Sequence, residues 1–538
     1  MIRITELPLP MDADAREVGR EVLRMAIVQR LGIDDTALLD FQVYKRSYDA
    51  RRKSSVITFV YIIDAEVRDE AAVLQRLAND RQVMPAPDTR YQPPVKARSG
   101  LQERPIVIGF GPGGLFTALI LAQQGYRPIV LERGREVRQR TQDTWGLWRR
   151  NTLDPVSNVQ FGEGGAGLFS DGKLYSQIKD PRYLGRKVMQ EFVRAGAPPE
   201  ILYVSKPHIG TFRLTGVVAA MRREIISLGG EVRFESQVTD LLIESGQIEG
   251  VVLDSGEVLH SRHVVLALGH SSRDTFRMLE RRGVFMEAKP FAVGFRIEHP
   301  QSMIDKVRLG RFAGHPALGA ADYKLVHHAS NGRSVYSFCM CPGGTVVAAT
   351  SEPERVVTNG MSQYSRNERN ANAGIVVGID PARDYPGGAL AGIALQEQLE
   401  STAYRLGGRN YCAPAQLVGD FLKGKPSTAV GDVEPSYKPG VQWCNLSEAL
   451  PEYAIAAIRE ALPAFGREIR GFDRPDAVLT GVESRTSSPL RITRDPQHLQ
   501  SRNVRGLYPC GEGAGYAGGI LSAAVDGIKV AEAVAANL

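Results

Sequence analysis

The chain has 538 residues, which allows several lobes and excludes a single small module. With 43% hydrophobic and 23% charged residues, it can bury a sizeable core, which excludes a disordered or collagen-like chain. Lys and Arg outnumber Asp and Glu by 66 to 60, and a surplus of six over this length argues against a nucleic-acid partner unless the cations cluster.

Glycine is over-used at 55 residues, about a tenth of the chain, against a usual share of about 7%. Glycine serves where a ligand must approach the backbone or where φ is positive, so the excess points to a bound ligand. No apolar run reaches the roughly 18 residues that span a bilayer, and the start has no basic segment leading into an apolar one, so a soluble, cytoplasmic protein is expected. The five cysteines fall in no zinc-like pairing, and free thiols are expected.

In chain order, residues 1–83 read as a small α+β domain. Arg16 to Leu31 repeats apolar residues at helical spacing, Leu39 to Lys45 and Ser55 to Ile63 are β-rich, and Asp69 to Leu77 is helical. Residues 84–103 open with MPAPDTRYQPPV, whose four prolines disfavour helix interiors and central strands, so a Pro-rich linker is expected there.

The next segment carries the first motif. An apolar strand at Ile106, Val107 and Ile108 runs into GFGPGG, in which Gly109, Gly111 and Gly114 spell GxGxxG, with Gly113 between them and an apolar helix following. The first glycine makes the tight turn, the second admits a diphosphate, and the third lets helix and strand pack closely. Free N–H groups and the helix dipole then face the diphosphate. At the end of the following strand stands Glu132, with Arg133 beside it, where an acid should receive the ribose hydroxyls.

A long cofactor such as FAD needs a second closing segment, and the C-terminus supplies one. NVRGLYPCGEGAGYAGGILSAAVDGIKVAEAV places a strand from Val504 to Tyr508, then Gly511 and Glu512 in a glycine-dense turn, then a helix from about Gly519 and Ile520. That order sets an acid near the ribityl or diphosphate region and aims a helix N-terminus at the flavin edge that gains negative charge on reduction.

Between the two lies an apolar strand, Val264 to Ala267, ending at Gly269, preceded by a β-meander that includes Val238. These residues resemble the glutathione-reductase-like superfamily of FAD oxidoreductases. More narrowly, the segments FGEGGAGLFSDGKLYS, KPHIGT, GHSSRDT, KPFAVGFRIEHPQ, CMCPGG and GVESRTSSPLRI resemble bacterial FAD-dependent dehydrogenase-like proteins. The pattern departs at Phe212, where such relatives carry Asp. The resemblance implies that the strand ending at Gly269 borders FAD and that Val238 meets the adenine through its backbone.

The expected architecture is α/β: a discontinuous Rossmann-like FAD-binding domain over 104–275 and 475–538, an inserted α+β substrate lobe over 276–474, and the N-terminal domain. Around the flavin ring, FGEGGAG brings Gly165 and its neighbours close, and Lys173 is a candidate to hold the reduced flavin or a substrate carboxylate. Arg485 is a candidate fork for an anionic substrate, with an internal pair to Glu483 as the competing reading. Cys339 is either a thiol acting on the flavin or a buried small hydrophobe; a disulfide to Cys341 would be strained in an extended chain. His208 and His270 fall in the same motifs and read as acid–base groups or as structural histidines. No metal site is expected, because His327 and His328 stand without a carboxylate or thiol cluster.

The expected function is an FAD-dependent oxidoreductase acting on a small anionic molecule, with NAD(P)H or an electron carrier docking transiently, since no second GxGxxG unit with its strand, helix and acid occurs. A flavin monooxygenase and a flavin-bearing, RNA-associated or regulatory protein remain the alternatives.

Overall fold

The computed structural model describes residues 1–10, 17–49, 57–94, 97 and 102–538. Readings that touch residues 50–56, and parts of the Pro-rich stretch, lie outside the described residues.

The N-terminal unit is a four-stranded antiparallel sheet in the order Leu38–Asp49, Thr58–Val67, Ile2–Pro10, Val83–Pro85. Its helix Arg20–Leu31 turns Leu23, Ile27 and Leu31 into a shared core, a fourfold spacing that puts them on one face. Gly32, at φ 61°, closes the helix in the left-handed conformation that favours glycine. The strand Ile2–Pro10 escapes sequence reading because its prolines break the β signal. The Pro-rich stretch also begins differently from expectation: Met84 and Pro85 pair with Arg3 and Ile2, so residues 84–85 close the sheet rather than open a linker. A proline is tolerated there because the strand is short and at the sheet edge.

Next comes a five-stranded parallel sheet, ordered Leu507–Pro509, Val264–Leu266, Ile106–Ile108, Ile129–Leu131, Glu231–Arg233. Its inner strands are short and wholly apolar because both faces are covered: Val107, Val130 and Val265 share a core with helical residues, and Ile106, Leu131 and Val264 share one with Leu241, Ile248 and Val251 of a β-meander and with Phe276 and Leu279. The antiparallel meander Val238–Glu244, Gln247–Leu253 and Val258–His260 stands beside it. The helix Pro112–Gln123 packs along the C-terminal helix Ile520–Asn537. Gly527 permits this contact, since a Cβ there would lie 2.3 Å from the Gly113 carbonyl oxygen. Thr117 Oγ1 donates to the Gly527 carbonyl at 3.1 Å across 410 residues of chain. The two ends of the domain are thereby joined.

The third unit is an eight-stranded sheet whose central strands are Ser334–Ala348, Asn370–Ile379, Phe291–Pro300 and Val478–Glu483. It shares a core with the helices Ala391–Leu406 and Glu452–Glu468. The lobe is entered and left through a ribbon of Met286–Ala288 paired with Leu490–Ile492. Both boundaries of the expected 276–474 insertion therefore move later. Residues 478–483, expected in the FAD domain, pair with Phe291–Pro300 instead. A short apolar strand carries no mark of which sheet will take it.

Candidate cofactor cavity and active site

A cavity of about 1020 Å³ opens beyond the carboxyl ends of the parallel strands, where α/β sheets place their ligands. The first glycine turn forms one wall. Gly109 has φ 96°, and a Cβ on it would lie 2.5 Å from the Ala267 carbonyl oxygen. Gly111 and Gly113 line the cavity, whereas Gly114 does not: a Cβ there would stand 2.0 Å from the Gly109 carbonyl oxygen. The third glycine serves the helix–strand packing expected of it.

The loop of the FGEGGAG segment lies over this turn. Gly165 has φ 60°, and a Cβ on it would come within 2.8 Å of the Gly111 Cα. Glu132 joins the two loops, its carboxylate accepting the N–H groups of Phe110, Gly134 and Gly162, each at 2.9 Å. Three of about four acceptor sites are thus used, and one remains on a group that lines the cavity. Arg133 pairs with both oxygens of Asp274 at 3.0 Å and lies 4.4 Å over the Phe161 ring. Val238 and Gly269 line the same cavity.

The opposite wall comes from the C-terminus. Asp526 accepts the Gly511 N–H at 2.8 Å and pairs with Arg494, fixing the glycine-dense turn. Glu512, Gly519 and Ile520 line the cavity. Burial pushes the Glu512 carboxyl up to about 7, against the pull of Lys289. The helices that begin at Pro112 and Ile520 both open on the cavity without a side-chain cap, so their first N–H groups are left for a ligand. Two uncapped helix ends, glycine loops in near contact and one spare carboxylate site fit a long, diphosphate-bearing cofactor such as FAD.

Lys173 and Cys339 line the cavity together. Lys173 Nζ donates to the Met340 carbonyl, lies 3.3 Å from Asp171 Oδ2 and 3.9 Å from Cys341 Sγ. Burial opposes its charge, but Cys341, Cys339 and Asp171 outweigh that and hold the ammonium above its ordinary value. Asp171 is shared with Arg366.

Arg485 also reaches the cavity wall, but its guanidinium is occupied. It donates to Glu400 at 2.9 and 2.7 Å, to Ser271 Oγ at 2.9 Å and to Ser351 Oγ at 2.7 Å. Glu400 is fully buried and also accepts two bonds from Arg273, so the two arginines hold its carboxyl well below the usual range despite burial. The competing reading, a pair between Glu483 and Arg485, does not form. Glu483 is paired with the fully buried Arg296, which also donates to the Cys339 carbonyl at 2.8 Å. The strand Val478–Glu483 ends at Glu483, so Arg485 lies beyond it and is not held to the face that Glu483 shares with Arg296.

Sequence reasoning missed Arg296, Glu400 and Arg273. Arg296 carried an available signal, a charge in the otherwise apolar run FAVGFRI; Arg273 in the polar segment GHSSRDT and Glu400 in an amphipathic helix had none. His270 lines the cavity, and burial together with Arg485 and Arg273 pushes its imidazole down to about 3. His208 stacks on Tyr364, its Nε2 at 3.0 Å from the Tyr364 carbonyl oxygen, outside the cavity lining. Among the described residues no group of three His, Cys, Asp or Glu side chains is placed to hold a metal. No helix among them is long and apolar enough to cross a membrane.

Residues 176–307 match the family described as FAD dependent oxidoreductase, residues 290–486 the FAD-dependent protein, C-terminal domain-like family, and residues 1–66 a domain of unknown function. An uncharacterized protein of Clostridium beijerinckii is 46% identical over 533 residues, 99% of this chain and 98% of its own length. Among solved structures, glycine oxidase from Bacillus cereus has a TM-score of 0.35 at 12% identity, covering 81% of this chain and 96% of its own. Amadoriase I from Aspergillus fumigatus has a TM-score of 0.33 at 13% identity, over 81% of this chain and 88% of its own. No residue role follows from likenesses this remote.

Fold, cavity and family models together define an FAD-dependent oxidoreductase of the FAD/NAD(P)-binding superfamily, with FAD as its cofactor. Within that class the chain belongs to the family of the Clostridium beijerinckii protein.

Proposed function

We propose that the enzyme is a dehydrogenase or reductase for a small, anionic organic molecule. The observation that carries this reading is the charge at the exposed end of the cavity. Lys206, Arg308 and Lys324 line it together with a single carboxylate, Asp322, which Lys206 contacts at 2.6 Å. Two cations remain unmatched, and such a mouth concentrates anions.

FAD, when bound, supplies two-electron transfer; the chain supplies orientation, dryness and charge. Gly109, Gly111 and Gly113 with the first turn of their helix would hold the diphosphate, and Gly114 keeps that turn against its strand. Glu132 would take a ribose hydroxyl, while Arg133 and Val238 flank the adenosine end. Gly165, Gly269 and Gly511 give the backbone closeness that a flat ring needs. Glu512 and the helix end at Gly519 and Ile520 would close the cofactor from the opposite side. Lys173 is the cation nearest the reacting zone and would steady negative charge there. Arg485 acts at one remove, positioning Ser271 and the cavity floor through Glu400. A nicotinamide nucleotide, itself anionic, would enter by the same mouth as a transient electron donor.

The test is anaerobic mixing of the holoenzyme with a panel of small organic acids, their neutral amides, and NAD(P)H, read as bleaching of the flavin absorbance. The acids should bleach it and the amides should not. Reversing Arg308 and Lys324 to Glu together should raise KM about tenfold or more with kcat held. Equal rates for acids and amides, or an unmoved KM, would remove the anionic reading.

A further inference from the structure

The cavity wall that faces Lys173 carries a second reactive group. The strand Ser334–Ala348 loses register with Asn370–Ile379 on both sides of Cys341, and Cys339 takes φ 43°. The stretch Cys339 to Cys341 is therefore not regularly extended, and the geometric objection to a bond between its two sulfurs does not apply. Cys341 Sγ lies 3.3 Å from the Cys339 carbonyl oxygen, which turns it back towards the neighbouring cysteine. Cys339 faces the cavity and Cys341 is buried behind it.

Two cations converge on this pair. Lys173 Nζ is 3.9 Å from Cys341 Sγ, and Arg296 donates to the Cys339 carbonyl. Gly360 leaves the room for that convergence: a Cβ there would stand 2.9 Å from Cys341 Sγ and 2.5 Å from Arg296 Nη1. The Cys341 hydrogen bond, with Lys173 and Arg296, holds the Cys339 thiol well below its ordinary value against burial. That same hydrogen bond and burial push Cys341 up, so Cys339 is the more acidic thiol of the two. Burial instead raises the thiols of Cys412, Cys444 and Cys510.

We propose that Cys339 and Cys341 form a dithiol–disulfide couple that exchanges two electrons with the flavin in this cavity. In the forward step the Cys339 thiolate and the Cys341 thiol give up two electrons, an Sγ–Sγ bond forms and the S–H bond of Cys341 breaks. The electrons and that one proton pass to oxidised flavin, which leaves it reduced with a single negative charge, so charge and protons balance. The reverse step reopens the bond with electrons from reduced flavin. The couple gives the enzyme a second electron pair to hold until its acceptor docks. It rests on the FAD reading for its electron partner.

The experiment uses the holoenzyme treated with a mild thiol oxidant and titrated anaerobically with dithionite. Wild type should take up about four electrons per FAD, and C339S and C341S about two, while C412S stays at four. Uptake of about two electrons by wild type overturns the proposal. In parallel, oxidised apoprotein is cleaved with trypsin. The peptide from Ser334 to Arg355, which contains both cysteines, should become about two mass units lighter and recover on reduction. An unshifted peptide overturns the couple whether or not flavin binds. A shifted peptide on a chain that takes up no flavin overturns the exchange and the cofactor reading together.

Discussion

Gly111→Val should separate cofactor binding from folding, because in the proposed reading this glycine has a different task from its neighbour Gly114. Gly111 has φ −77° and ψ −175°, an ordinary conformation for any residue, and an added Cβ would meet only the Gly165 Cα at 3.6 Å. The apoprotein should accept the change within about 1 kcal/mol, since removing a glycine restricts the unfolded chain by a similar amount. The valine methyls would nevertheless occupy the cavity between the two glycine loops, and FAD retention should fall at least about a hundredfold, roughly 3 kcal/mol of binding. At Gly114 even an alanine Cβ would lie 2.0 Å from the Gly109 carbonyl oxygen, so helix and strand must part. Overpacking of that kind costs about 1–3 kcal/mol or more, a drop of several degrees in melting temperature. The assays are the FAD-to-chain ratio after gel filtration and the melting of the deflavinated proteins. A Gly111→Val protein that keeps one FAD per chain, or that melts as early as Gly114→Ala, would refute the division of roles.

Three further outcomes follow from the charge arrangement. Glu400→Gln leaves Arg273 and Arg485 buried with half their compensation and should cost about 3–5 kcal/mol by denaturant unfolding; a loss under about 1 kcal/mol would show that the arginines find other partners. Lys173→Met removes a cation that lowers the Cys339 thiol, so the pH at which Cys339 becomes alkylated should move up; an unmoved alkylation profile would take Lys173 out of that role. Glu512 binds its proton more tightly in the folded apoprotein, up to about 7, than in the unfolded chain. Its contribution is therefore full below the ordinary carboxylate value and is lost as pH rises towards 7, by at most about 3 kcal/mol. Glu512→Gln should flatten that slope in apoprotein unfolding measured between pH 5 and 8, and an unchanged slope would contradict the assignment.

Much of the lining of the candidate cavity was legible in the chain itself. Gly109, Gly111, Gly113, Gly114 and Glu132 form one unit of strand, turn, helix and strand, and each residue's task follows from backbone geometry within about 20 neighbours. The C-terminal turn at Gly511 and Glu512 was readable for the same reason. The antiparallel meander and the Arg20–Leu31 helix announced themselves by periodicity. What tertiary structure alone decided is which distant groups meet. Val478–Glu483 joins the large sheet, Arg485 meets Glu400 rather than Glu483, and Cys339 with Cys341 folds up between Lys173 and Arg296. Local pattern encodes the conformation a segment can take and the face it buries. The partner of a buried charge depends on how whole sheets and helices pack, and that packing brings together residues no short stretch of sequence relates.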